Sequence, residues 1–347
     1  MALRETVDKW KSEEKVRLDY ITTDMKVSVD TITMPLHWEV FGDKPADGRS
    51  LYISLHGGGS APKEVNDSQW KNQWRLYRPA EGVYLCPRAP YDDWDMHFKP
   101  LLDRCYREVI NYCVTHLDVN PDKVYLLGYS AGGDGVWRLA PRMADTWAAA
   151  SMMAGHPGDV RMENLRNTPF SIWCGENDAA YDRNKQDAAR IMLMDSLQRQ
   201  DPEGYVHEGH IVKGKAHWMD RVDTVAISWM AQYRRNPYPR KIVWRQEEQL
   251  KRCFYWLKVN KDEMARHKEV RAFYYDNNVS ITKCDYKELT ICLNDEMMDL
   301  DKPVKVFYNG QVVYEGVVDR TRENITSNLS LRQDERYAFP AEIRLRF

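Results

Sequence analysis

Between residues 50 and 235, short apolar runs alternate with segments of helical length, and this alternation constrains the fold more than any other feature of the sequence. The runs are LYISL at 51–55, VYLC at 83–86, VYLLGY at 124–129, AAASMMAG at 148–155, FSIWCG at 170–175 and HIVKG at 210–214. Near-continuous hydrophobicity of this kind suits strands covered on both faces. Between the runs, residues 101–117, 131–144, 181–200 and 221–235 space their apolar side chains at helical intervals. Strand and helix in regular succession predict a mainly parallel, doubly wound sheet, with its binding site beyond the C-terminal ends of the strands.

The flanks read differently. Residues 3–17 predict a polar helix, and residues 27–42 predict extended segments broken near Pro35, a hairpin leading into the sheet. The alternation stops at NPYPRK, 236–241, where two prolines supply a breaker. After it come RCFYWLKV, EVRAFYYD, VSITK, ELTICLN and PVKVFYNGQVVYEGVV, short strand-like runs in which Asn309-Gly310 marks a hairpin turn. A chain of 347 residues exceeds the usual size of one core. The expected organisation is a lead-in over 1–45, an α/β catalytic domain over 46–237 and a small all-β sandwich over 241–347.

Charge and cysteine content narrow the partners. Lys and Arg total 50 against 52 Asp and Glu, a formal net charge of -2, so no global field marks a nucleic acid or an anionic membrane as the partner. No apolar run approaches the roughly 20 residues that span a bilayer. A small or carbohydrate-linked molecule is the expected ligand, with neither nucleic acid binding nor membrane insertion. The seven cysteines form no C-x-x-C pair and are odd in number, which argues against a disulfide framework or zinc knuckle and predicts buried thiols. The first twenty residues mix charges and lack the apolar stretch of a secretory leader. A cytoplasmic location is expected, or an exported one if a leader has been removed.

Chemistry concentrates at Gly128-Tyr129-Ser130-Ala131-Gly132, which follows the run VYLL and opens a helical segment. A G-x-S-x-G sequence in that setting predicts a nucleophile elbow, in which a tight strand-to-helix turn pushes the serine outward at the helix N-terminus. His56-Gly57-Gly58-Gly59 ends an earlier run, and the N–H of Gly58 or Gly59, with that of Ala131, is expected to converge on a developing oxyanion. Serine needs a base, and the base an orienting acid. Asp178 follows FSIWC and His217 follows HIVKG, giving the chain order Ser, Asp, His. His156 and His56 are the alternative imidazoles, and Asp182 and Asp159 the alternative acids. Asp134 and Arg138, one helical turn apart, are expected to pair. Trp70, Trp74, Tyr77, Tyr91, Trp94, Phe98 and Trp218 are expected around the site, either binding ligand or packing loops.

With these residues placed, the stretch from about 50 to 235 resembles the α/β-hydrolase superfamily, in its polyhydroxybutyrate-depolymerase-like and feruloyl-esterase-like branch. That resemblance rests on His56-Gly57-Gly58-Gly59, Gly128-Tyr129-Ser130-Ala131-Gly132-Gly133 and the strand-end Asp178 and His217. It implies a serine hydrolase, a carboxylesterase working through an acyl-enzyme without metal or organic cofactor. A peptidase of the prolyl-oligopeptidase kind and a catalytically silent binding protein of the same fold are the competing expectations.

Overall fold

The computed structural model describes residues 2 to 347. Contacts divide the chain into two compact units, one spanning Lys15–Arg235 and the other Asn236–Phe347 together with the residues up to Glu14. Helix α1 (Ala2–Leu18) opens the chain, and helix α2 (Tyr20–Asp24) follows it.

In the first unit the strands are β1 (Lys26–Val29), β2 (Ile32–Phe41), β3 (Arg49–Leu55), β4 (Gly82–Pro87), β5 (Val119–Tyr129), β6 (Ala149–Met153), β7 (Phe170–Gly175) and β8 (His207–Val212). They form one sheet in the order β1-β2-β4-β3-β5-β6-β7-β8. β1 and β2 pair antiparallel, as do β2 and β4, and every other neighbouring pair is parallel. This is the α/β-hydrolase topology. Pro35 does not break the hairpin as expected but lies within β2, opposite Lys26 at the end of the β1 ladder. It needs no N–H there, and its carbonyl accepts from Arg88 N at 2.8 Å.

The helices of this unit are α3 (Lys63–Gln73), α4 (Leu102–His116), α5 (Ala131–Arg142), α6 (Arg183–Gln200) and α7 (Val225–Met230). α7 is shorter than the 221–235 expected, because Arg221 turns left-handed (φ 65°) and a 3-10 turn over Val222–Thr224 sets Asp223 against the Tyr77 hydroxyl. α3 has no apolar stripe to mark it in the sequence, because its inward side chains include the polar Asn66 and Gln73. Gln73 is accommodated by donating to Ser54 Oγ (2.8 Å), while its carbonyl takes the Tyr84 hydroxyl (2.7 Å). A core of Tyr52, Tyr77, Tyr84, Tyr125, Tyr129 and Trp173 packs with Met219 and Met230.

The second unit holds β9 (Lys241–Arg245), β10 (Cys253–Phe254), β11 (Leu257–Val259), β12 (Glu269–Tyr275), β13 (Asn278–Cys284), β14 (Glu288–Leu293), β15 (Val304–Tyr308), β16 (Gln311–Gly316) and β17 (Ala341–Arg346). They make two sheets, β10-β11-β14-β17 and β16-β15-β13-β12-β9. Ring pairs bridge them, Trp244 with Phe254 and Trp256 with Tyr274, each with centroids 5.8 Å apart. Asn309 (φ 49°) and Gly310 (φ 82°) make the expected hairpin turn between Tyr308 and Gln311. Two details differ from the all-β reading. β13 and β15 pair parallel, and helix α8 (Arg322–Arg332) precedes the last strand, its first turn capped by Thr321 Oγ1 accepting from Asn324 N at 3.1 Å. Ile325 and Leu329 of α8 pack with Val7 and Trp10 of α1, and Lys11 pairs with Glu335 at 2.8 Å. The lead-in expected over 1–45 therefore divides, its first residues belonging with the β unit.

No described helix is long and apolar enough to cross a membrane.

One of the tightest places in the first unit is where α5 starts against β3. A Cβ on Gly132 would stand 2.1 Å from the Leu55 carbonyl oxygen, whereas one on Gly214 would meet nothing within 4 Å. Gly132→Ala is therefore expected to destabilise the protein by about 3 kcal/mol or more through forced backbone separation. Gly214→Ala, strained only by its left-handed φ, should cost about 1 kcal/mol. Urea unfolding of both variants checks the ranking.

Candidate active site

The strand order reverses between β3 and β5, which have β4 and β6 as their outer neighbours, so the loops leaving β3 and β5 diverge from a common crevice. Leu55 pairs with Gly128, which puts His56-Gly57-Gly58-Gly59 alongside Tyr129-Ser130. Ser130 has φ 58° and ψ -120°, a backbone conformation that serine seldom adopts and that holds only where its surroundings enforce it. Ser130 N donates to Met153 O at 2.9 Å and Asp134 N to Ser130 O at 2.9 Å, fixing the turn from both sides.

Three side chains from three strand ends meet there. Ser130 Oγ lies 2.8 Å from His217 Nε2, and His217 Nδ1 lies 2.7 Å from Asp178 Oδ2. Asp178 is buried while the His217 ring is half-exposed. The other carboxylate oxygen of Asp178 is 3.7 Å from Arg183 Nη1. The histidine loop is tied down by Tyr129, whose hydroxyl donates to the His217 carbonyl at 2.7 Å and accepts from Met219 N at 3.0 Å. That role of Tyr129 was not read from the sequence, where it fills the first variable position of G-x-S-x-G.

The competing residues sit elsewhere. Asp182 is exposed and pairs with Lys185 at 3.1 Å. Asp159 receives Arg138 Nη1 at 2.7 Å. His56 is buried, its Nδ1 2.7 Å from Gly57 O and its Nε2 accepting from Ala89 N at 3.1 Å, so both ring nitrogens are engaged in shaping the glycine loop. His156 lines the same cavity as Ser130, with Nδ1 accepting from Gly158 N at 3.0 Å. The expected Asp134–Arg138 pair is not formed. Asp134 instead accepts from His156 N at 2.6 Å, and Arg138 turns to Asp159 on a neighbouring loop.

Of the expected oxyanion donors, Gly59 is engaged otherwise. Its N–H donates to Asn66 Oδ1 at 2.8 Å, and Asn66 Nδ2 in turn donates to Ala61 O (3.0 Å) and Asp92 Oδ1 (2.9 Å). Arg88 completes this network, donating to Asp92 at 2.6 Å and to Asp67 at 2.8 Å. A Cβ on Gly58 would fall 2.2 Å from Asn66 Oδ1, so glycine is required for the loop to close over α3. Gly58 and Ala131 both line the cavity beside Ser130. Ala131 is the first residue of α5, and its N–H has no carbonyl within the helix to accept it.

The cavity has a volume of about 450 Å3 and is walled by Trp94, Phe98 and Tyr181. Trp94 and Tyr181 are exposed at its mouth. Trp70, Trp74 and Tyr77 instead pack into or against the core of the unit. Among the described residues, no three His, Cys, Asp or Glu side chains gather in a metal-binding cluster.

No family model matches the chain. The candidate esterase NocK of Nocardia uniformis subsp. tsuyamanensis is 29% identical over 168 residues, which cover 43% of this chain and 47% of that protein. The chain thus spans about half the length of the curated relative it matches. Among solved structures, a thermostable esterase aligns with a TM-score of 0.44 at 19% identity, over 61% of this chain and 64% of its own. A fluorophosphonate-binding serine hydrolase of Staphylococcus aureus gives 0.41 at 17% identity, over 59% and 96%. The feruloyl esterase module from Clostridium thermocellum complexed with sinapinate gives 0.43 at 12%, over 60% and 86%.

Behind Asp178 lies a second buried acid. Asp187 of α6 is fully buried, and neither carboxyl oxygen has a partner at hydrogen-bonding geometry. Burial pushes its pKa up to about 8; the Cys174 thiol works against this, while the charges of Asp178 and Asp134 add to it. In the unfolded chain the same group ionises near the ordinary value of about 4. Between these two values the folded protein holds a proton that the unfolded chain has lost, so Asp187 makes stability fall as pH rises from about 4 to about 8, with no further loss above. Asp187→Asn is expected to remove this slope and to raise Tm at pH 8.5 by about 5 to 10 °C, with little change near pH 4. Thermal melts of both proteins across that range check it.

Proposed function

We propose that this protein is a serine hydrolase that cleaves carboxylic esters, with Ser130 as nucleophile, His217 as general base and Asp178 as the acid that orients it. The observation that carries this reading is the continuous hydrogen-bonded chain Asp178–His217–Ser130, with links of 2.7 and 2.8 Å, ending on a serine held outward by a left-handed turn.

In the reaction, Ser130 Oγ attacks the ester carbonyl carbon while its proton passes to His217 Nε2. Asp178, held against Nδ1, stabilises the imidazolium and keeps the ring in the tautomer whose Nε2 accepts. The carbonyl oxygen becomes an oxyanion facing the N–H groups of Gly58 and Ala131, at the positive end of α5. Collapse of this intermediate breaks the bond to the alcohol oxygen, which leaves with the proton from His217. Water then attacks the acyl-enzyme, gives a proton to His217, and the second collapse releases the acid and returns the proton to Ser130. Every atom in this sequence comes from ester, water and the three side chains. A cavity of about 450 Å3 holds a small-molecule ester.

Two variants and a probe test the reading. A fluorophosphonate should label Ser130, located by peptide mass spectrometry, and Ser130→Ala should lose at least about 10⁴-fold in kcat on p-nitrophenyl butyrate. Asp178→Asn should lose up to about 10⁴-fold, whereas Asp182→Asn should stay within a few-fold of the parent. Absence of both labelling and ester turnover, or equal losses for the two aspartate variants, would overturn the assignment.

A further inference from the structure

Ser130 caps α5, Asp134 and Arg138 follow one turn apart on one face of the helix, and all three line the cavity. Eight residues of helix span about 12 Å, and the Arg138 side chain shares with Ser130 a cavity that shortens the path between them. The position of the guanidinium is fixed by three neighbours. Nη1 donates to Asp159 at 2.7 Å, Cζ lies 5.7 Å from the Phe98 ring centroid, and Nη2 fits only because residue 158 is glycine, where a Cβ would stand 2.3 Å away.

A second arginine shares the cavity. Arg183 Cζ lies 5.1 Å from the Tyr181 ring centroid, its Nη1 is 3.7 Å from Asp178, and its buried Nε has no hydrogen-bond partner. Behind Gly158, Arg190 donates to the glycine carbonyl at 2.8 Å and also leaves a buried Nε unpartnered. Burial, then the charges of Arg161 and Arg138, draws the pKa of Arg190 down, while Asp159 and Asp187 act the other way.

The facing carboxylates answer this charge poorly. Burial raises the pKa of Asp134, against the His156 N–H and the Arg183 charge, and its Oδ1 is already taken by that N–H at 2.6 Å. Asp178 is committed to His217, and the side chain of Asp159 is 65% exposed, where an ion pair with Arg138 is screened and worth little. A guanidinium held by an exposed carboxylate keeps donors for another.

We infer that this esterase selects substrates carrying a second, anionic group, a carboxylate recognised by Arg138 with Arg183 and separated from the scissile carbonyl by about four to seven bonds. The inference rests on the assignment of Ser130 as nucleophile. The aromatic walls formed by Trp94, Phe98 and Tyr181 suit the apolar spacer between the two ends. The anion can belong to the acyl part or to the alcohol part, and the two are separable by experiment.

The test measures kcat/KM at low ionic strength for p-nitrophenyl monoesters of succinate, glutarate and adipate against p-nitrophenyl butyrate, and for 4-acetoxybenzoate against phenyl acetate. In one series the anionic ester is expected to exceed its neutral match by about tenfold or more, the worth of a hydrogen bond between charged groups. The preference should shrink as salt is added. Arg138→Gln should abolish it, and Arg138→Lys should keep part of it, because ammonium retains the charge but not the planar fork. Free glutarate should inhibit butyrate turnover by the unaltered protein, a readout that requires no variant to fold. Ratios at or below unity in both series, with Ser130 still labelled and the neutral ester still cleaved, overturn the anion inference alone. Loss of labelling and of all turnover overturns the nucleophile assignment on which it stands.

Discussion

The site depends on one backbone contact, the approach of the first turn of α5 to the end of β3. Gly132 allows it, since a Cβ there would lie 2.1 Å from the Leu55 carbonyl oxygen, and Gly128 and Gly133 allow the matching approaches of the same turn to β5 and β6, where a Cβ would lie 2.4 Å from the Gly132 carbonyl oxygen and 2.5 Å from that of Met153. Because the helix is pressed this close, the turn between strand and helix has no room to relax, and Ser130 is held in a conformation that costs of order 1–3 kcal/mol. That cost is met by the buried strands on either side. The local sequence is therefore dictated by steric exclusion first, and the serine is presented as its result.

Around this contact, two networks of hydroxyls and amides fix geometry alongside ion pairs of buried arginines, such as Arg88 with Asp92 and Arg142 with Asp103. Tyr129 joins the end of β5 to the loop of His217 through an oxygen that both donates and accepts. Tyr84, Ser54 and Gln73 satisfy one another beneath α3. Neutral networks of this sort carry a smaller desolvation penalty than buried ions and still fix geometry. Asp187 differs from both kinds, buried near Asp178 with neither carboxyl oxygen at hydrogen-bonding geometry to a partner.

Much of this was legible in the sequence, for identifiable reasons. Both-face burial leaves continuous apolar runs, so the six core runs fall on β3 to β8, and steric exclusion leaves glycines, so the elbow is visible as a motif. The chain order Ser, Asp, His, and their positions after strands, pointed to the three residues that meet. What escaped is set by partners distant in sequence. Asn66 meets Gly59 from a helix whose inward face is polar, which hides that helix from hydrophobic periodicity. Arg138 prefers Asp159, 21 residues away, to Asp134 one turn back, because burial and the His156 N–H had already claimed Asp134. Helix α8 is short and mostly polar, with its two apolar anchors matched to residues near the start of the chain.

The hydrogen bond from Gly59 to Asn66 has a consequence for how the site meets its ligand. Three successive glycines form the most permissive backbone a protein can contain, and left alone the loop would sample many conformations. Asn66, anchored in turn by Asp92 and Arg88, removes that freedom when the chain folds. A ligand entering the cavity then encounters a loop already ordered, and little of its binding energy is diverted to immobilising backbone. Chain entropy is lost once, during folding, so that it need not be lost again each time a ligand binds.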